Sequence, residues 1–195
     1  GQRGADVAIR SYPLAEKLVV PAMLGYAVAD MAAPGGMVTA WLAALAAALQ
    51  AWRLSGWQGL RTVSTPIVWI LHVAYLWLPV GLALKAAFLF GEFAWAAYWQ
   101  HALGAGAAGS MILAVMTRAA LGHTGRPLRA HPVTVAAYLL VTLAVAVRVF
   151  GPGIVPGSYV AVVMTAGTLW FAAFLLYVAV YLPVLLMPRA DGKPG

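Results

Sequence analysis

The stretch from Trp99 to Leu128, WQHALGAGAAGSMILAVMTRAALGHTGRPL, decides how the rest of the chain is read. From Phe93 to Thr117 there are 25 residues without a charged side chain, and about 20 apolar residues suffice to cross a bilayer as a helix. On an ordinary α-helix His101, Gly104, Ala105 and Ala108 fall at i, i+3, i+4 and i+7, so an imidazole stands above a strip nearly free of side chains. The run ends at Arg118, and the following loop, GHTGRPLRAHP, supplies His123, Arg126, Arg129 and His131 before hydrophobic sequence resumes.

Composition points the same way. The chain is 64% hydrophobic and only 9% charged, far below the roughly 25% charged content of soluble domains. An integral membrane protein follows. A net charge of +7 invites a nucleic-acid reading, but the basic residues stand in short loops between apolar runs, where they meet lipid headgroups and set orientation. Cysteine is absent, which excludes disulfides, covalent haem attachment, iron–sulfur clusters and thiolate copper sites. Any metal is left with His, Met, carboxylate or backbone oxygen.

Working outward from the central stretch, hydropathy and turn signals predict an all-α polytopic bundle of six transmembrane helices. The spans are Leu18 to Ala33, Met37 to Trp52, Pro66 to Leu84, Phe93 to Thr117, Pro132 to Val147 and Tyr159 to Leu186. Residues 1–17 form a polar N-terminal arm, too polar for a signal peptide, residues 18–186 the membrane domain, and residues 187–195 a polar tail. Arg53 to Thr65 reads as a loop with an interfacial helix. On this count, ten of the twelve Lys and Arg residues fall on one side, leaving Lys85 and Arg148 on the other. That positive-inside asymmetry predicts cytoplasmic termini.

Ionisable residues inside a span are costly, so each is a candidate functional site. His72, on a face with Tyr75, Leu76 and Pro79, and His101 both qualify. Their alternative is structural, a histidine hydrogen-bonded to a neighbouring helix, just as a Gly and Ala row also serves close helix packing. At about 1.5 Å per residue the two imidazoles differ in depth by roughly 15 Å, whereas two imidazoles on one metal sit about 4 Å apart. Two separate sites are expected. Asp30 and Glu92 map near the outer surface, with Lys85 as an ion partner for Glu92. His123, in a Gly-bracketed turn, is a further metal candidate, while His131 reads as solvated at the interface. The methionines read as packing, and no phosphate loop, zinc-protease helix or nucleophile elbow is present.

The segments HALGAGAAGSMILAVMTRAALGHTGR (His101 to Arg126) and WILHVAYLWLPVGLAL (Trp69 to Leu84) closely resemble the second half of the NnrS family. These are bacterial multi-pass inner-membrane proteins linked to nitric oxide stress and described as binding haem and copper. Members are about twice this length, and their first half carries an HxHE motif that does not occur here. The resemblance therefore implies a C-terminal fragment of a roughly twelve-helix protein, partnered by its other half or by another copy. It implies haem and copper: His101 is the expected axial haem ligand, His72 serves a different site or supports it, and His123 is a further metal ligand. It also implies a cofactor seat at Gly104 and Ala108, Arg118 and Arg126 on an anionic group such as a haem propionate, and nitric oxide as a ligand. The alternative class is a transporter or membrane scaffold in which His72, His101 and Asp30 line a polar path.

Overall fold

Proline sets the start of three helices. Pro13, Pro66 and Pro132 each stand in a first helical turn, where the missing N–H is no loss and the fixed φ suits the helix. The structure, a computed structural model, describes residues 10–192, and among the described residues all regular structure is helical. The helices are α1 (Pro13–Ala32), α2 (Met37–Ser55), α3 (Pro66–Gly91), α4 (residues 99–123), α5 (Pro132–Ile154) and α6 (Tyr159–Leu186). Between α1 and α2 the Pro-Gly-Gly turn is closed by Thr39, whose hydroxyl donates to the Ala33 carbonyl at 2.7 Å. His131 caps α5 by accepting from the Val133 N–H at 3.2 Å.

The expected six spans do not hold. Five helices are long and apolar enough to cross a membrane: Met37–Ser55, Pro66–Gly91, Ala94–His123, Pro132–Ile154 and Pro156–Leu186. The difference lies in α1. It begins at Pro13, ahead of the expected Leu18, and runs 20 residues, so any 18-residue window within it holds Glu16, Lys17 and Asp30. Three ionisable side chains leave it too polar to count as a span. The charge-based placement of both termini in the cytoplasm was built on six spans and falls with them.

Helix α3 is central, packing on α2 on one side and on α4 on the other, while α1 lies against α2 and α6 against α5. Ala43, Ala46 and Ala47 of α2 meet Tyr26, Leu82 and Ala86, small residues that let helix backbones approach without a hydrophobic driving force. Two further clusters mark the ends of the bundle. At one end Ile67 and Ile70 of α3 pack with Ala120 and Leu121 of α4, Tyr138 and Tyr181; at the other, Leu84 packs with Ala96, Ala102, Val145 and Val149. Only 17% of the α6 window is buried, against 39% to 44% for the other four. Helix α6 is thus peripheral, presenting Val160, Phe171, Leu175 and Leu182 outward to lipid.

The central stretch departs from α geometry. After the turn Trp99–His101, residues Ala102–Gly109 form a π-helix before α geometry returns over Ser110–His123. The wider turn bonds i to i+5, and the buried positions there recur every fourth residue, at Ala102, Gly106 and Ser110. Gly104 and Ala108 point outward and are exposed. The strip expected from α spacing is therefore re-registered, with Gly104 and Ala108 on a different row from the half-buried His101 and Ala105.

Candidate functional site

Near the first turns of α3, His72 looks into a cavity of about 770 Å³, which Arg10, Tyr12, Arg61 and Trp69 also line. Its Nδ1 lies 3.1 Å from the Val68 carbonyl. A carbonyl only accepts, so Nδ1 carries the proton and Nε2 is the ring nitrogen left with a lone pair. The α2–α3 loop supplies one wall. Gly59 comes so close that a Cβ there would sit 3.1 Å from the imidazole Cδ2, and Trp57 meets the ring edge-on at 5.9 Å between centroids. Arg10 and Tyr12 add to the lining, held by the Arg10 N–H donating to the Gly56 carbonyl at 3.0 Å.

A polar chain braces this wall. Glu16 of α1 pairs with Arg53 at 2.9 Å, Arg53 donates to the Tyr75 hydroxyl at 3.3 Å, and Tyr75 donates to Gln50. Trp57 packs against both Arg53, at 5.4 Å, and Tyr75, at 4.5 Å and a 50° tilt. The sequence placed Arg53 and Arg61 in a loop around Trp57 but gave no reason to join them to His72. The signal was only their spacing across that aromatic residue.

His101 lies at the opposite end. Trp99 carries Lys85 over its ring at 4.1 Å, and Lys85 stands thirteen residues beyond His72 on α3, roughly 20 Å along the helix. The structure therefore does not bring the two histidines together. His101 stacks on Tyr98, with centroids 6.4 Å apart and 25° between planes. Lys85, 2% exposed, pairs with Asp30 and not with the expected Glu92, because its side chain turns inward between α1 and α4. Tyr26 donates to the same carboxylate at 3.4 Å. Glu92 is exposed, ending α3 in the left-handed conformation with φ of 50°.

The basic loop after α4 is braced from behind. Arg189 donates to the His123 carbonyl at 2.9 Å and pairs with Asp191 at 2.7 Å, and the Ala190 N–H donates to the Thr124 carbonyl at 2.9 Å. The hydrogen bonds to Asp191 raise the already high pKa of the Arg189 guanidinium. Arg126 reaches the Thr124 and Val184 carbonyls, each at 3.4 Å. Arg118 is half-buried and His123 is exposed. None of Arg118, Arg126 and His123 lines the His72 cavity.

Compared with known sequences, the chain matches the profile of the NnrS protein family over residues 2–189. It belongs to the NnrS family. The match spans almost the whole chain and does not single out one half of the family. No curated protein and no solved structure matches. In this NnrS chain no group of three or more His, Cys, Asp or Glu converges as a metal site among the described residues. His72 instead stands alone among such residues in the lining of its cavity, with Arg10 and Arg61 as the charged side chains beside it.

Proposed function

We propose that this NnrS-family membrane bundle is a haem protein of nitric oxide tolerance, with the haem seated in the cavity at His72. The observation that carries the reading is a volume of about 770 Å³, within the range of roughly 300 to 1,000 Å³ usual for cofactor sites, lined by a histidine whose Nδ1 is already engaged. Ligating histidines characteristically give their other N–H to a carbonyl or carboxylate, which orients the ring and raises its basicity; the Val68 carbonyl fills that role. Arg10 and Arg61 suit the propionates, since a guanidinium fork matches a carboxylate. They take the place that the sequence reading gave to Arg118 and Arg126. His72 would hold the haem, which would supply an iron able to take a diatomic such as nitric oxide.

The test is the visible spectrum of the purified membrane protein. Replacing His72 by Ala should remove or strongly shift the haem band while the protein still inserts, and His101→Ala should leave that band in place. An unchanged band in the His72 variant sinks the assignment. Copper has no comparable seat in the described residues, and metal analysis of the same preparations shows whether it accompanies haem.

A further inference from the structure

Beyond the His72 cavity, α2 and α3 border a second cavity of about 560 Å³. Its α3 wall includes Leu76, Pro79, Ala83, Ala87 and Phe90, whose spacings of three and four place them on one helix face. Trp69, His72 and Leu76, in the wall of the first cavity, continue that face toward the start of α3. Leu76 lines both cavities. On α2 the boundary falls between Ala51, which lines the second, and Leu54, which lines the first.

The two cavities differ in polarity. Arg10, Ser55, Gln58, Arg61 and His72 all line the first, whereas every side chain lining the second is that of Ala, Leu, Val, Pro or Phe. From the helix start at Pro66, Leu76 lies about 15 Å along α3, close to half of a hydrocarbon core about 30 Å thick. Around the second cavity Ala48, Ala51, Ala83 and Phe90 are exposed, so it opens to lipid chains. A charged or strongly polar solute finds no hydrogen bond along such walls and bears the full cost of desolvation. A small uncharged molecule dissolved in the hydrocarbon meets no such penalty. Leu76, 48% exposed, is the side chain that stands between this lipid-facing space and the cavity of the imidazole.

We propose that the α2–α3 groove is the entrance by which a small uncharged diatomic passes from the bilayer core into the His72 cavity, with Leu76 as the gate. The inference rests on the reading of the His72 cavity as the ligand site. That reading places carboxylates at the Arg10 and Arg61 end, which leaves the apolar end at Leu76 for a neutral ligand. Leu76 and Ala51 then decide what enters: the walls beyond them reject ions and polar solutes and admit what is already concentrated in lipid.

The chain has no cysteine, so Val73→Cys carries a single nitroxide spin label on the wall of the His72 cavity. With the purified full chain in phosphatidylcholine nanodiscs, power-saturation EPR measures collisions of that label with molecular oxygen, an apolar diatomic, and with the water-soluble chelate nickel ethylenediaminediacetate. Oxygen should dominate. Leu76→Trp should remove most of the oxygen response, Leu76→Ala should raise it, and Ala51→Phe, which narrows the same point from α2, should repeat the loss. Leu76 and Ala51 are both exposed, so these substitutions leave the packed core intact. An oxygen response unchanged by Leu76→Trp overturns the proposal, and so does a nickel response as large as that of oxygen, which marks an entrance from water. The readout does not depend on haem, so failure of the entrance leaves the His72→Ala band test standing, and failure of that band test leaves the oxygen result to be read on its own.

Discussion

The two ends of the bundle hold their histidines in opposite ways. At the His72 end the polar groups are spent on loop and wall, through the chain Glu16–Arg53–Tyr75–Gln50, and the imidazole opens onto a cavity. At the His101 end charge is drawn into the protein itself, with Lys85 paired to Asp30 and Arg148 wedged between tyrosines. An intramembrane histidine is thus not one kind of signal. Its meaning depends on whether the surrounding charges leave a space or fill one.

The largest expected effect tests the filled end. Replacing Asp30 by Ala leaves the Lys85 ammonium buried without its counter-charge, and removing one partner of a buried pair costs about 3 to 5 kcal/mol. Asp30 is itself 27% exposed, which favours the lower part of that range. Pairing Asp30→Leu with Lys85→Met removes both charges and should restore most of the stability in a denaturation series in detergent. A single Asp30 variant as stable as the parent would break the contrast between the ends.

Next in size is a pair of glycines inside one π-helical segment. A Cβ on Gly106 would meet Trp77 at 2.6 Å, and that indole is 8% exposed and well fixed, so Gly106→Ala should cost about 1 to 3 kcal/mol as overpacking. A Cβ on Gly104 meets nothing within 4 Å. Gly104→Ala should be neutral or stabilising by up to about 1 kcal/mol, because glycine carries the larger entropy loss in a helix. Equal effects at the two positions, measured by the same denaturation series, would mean that the segment does not present the π-helical rows described above.

How much of this was readable in the chain follows from what each feature depends on. The all-helical class and the last five spans were legible because unbroken hydrophobicity is a local property. Helix α1 is no span because Pro13 starts the helix five residues ahead of the apolar run at Leu18 and brings Glu16 and Lys17 into it. The π segment was invisible, since a run of Ala and Gly has no periodicity to reveal 3.6 or any wider turn. Lys85 was matched to Glu92 by closeness in sequence, but its partner Asp30 lies 55 residues away. The cavity was equally hidden, because its walls come from the 56–62 loop and the N-terminal segment folding back on α3. His72 itself was legible as a costly residue; its neighbours were not.

A smaller effect sharpens the open end. Gly59→Ala places a methyl group 3.1 to 3.3 Å from the His72 ring and Cβ, a gap the ring can relieve by a shift of a few tenths of an ångström. Stability should change by less than about 1 kcal/mol. With haem on His72 as proposed, its band should move or broaden, because ring orientation is what the Val68 hydrogen bond fixes. A band identical to the parent's would place the cofactor away from His72 even if total haem content is normal.

The smallest effect belongs to Arg126, where the sequence and the structure give different reasons for one residue. As a propionate ligand, Arg126→Lys would lose the guanidinium fork and with it cofactor content. As the structure places it, Arg126 donates weakly to two carbonyls, Thr124 and Val184, both at 3.4 Å. These are long hydrogen bonds, and they tie the end of α6 to the α4–α5 turn beside the stronger Arg189 contacts. Lysine keeps the charge and can satisfy one carbonyl, so the loss should be about 0.5 kcal/mol, at the low end for a hydrogen bond, with haem content and band position unchanged. A fall in haem content without a fall in stability would return Arg126 to the cofactor and require a second anionic contact far from the His72 cavity.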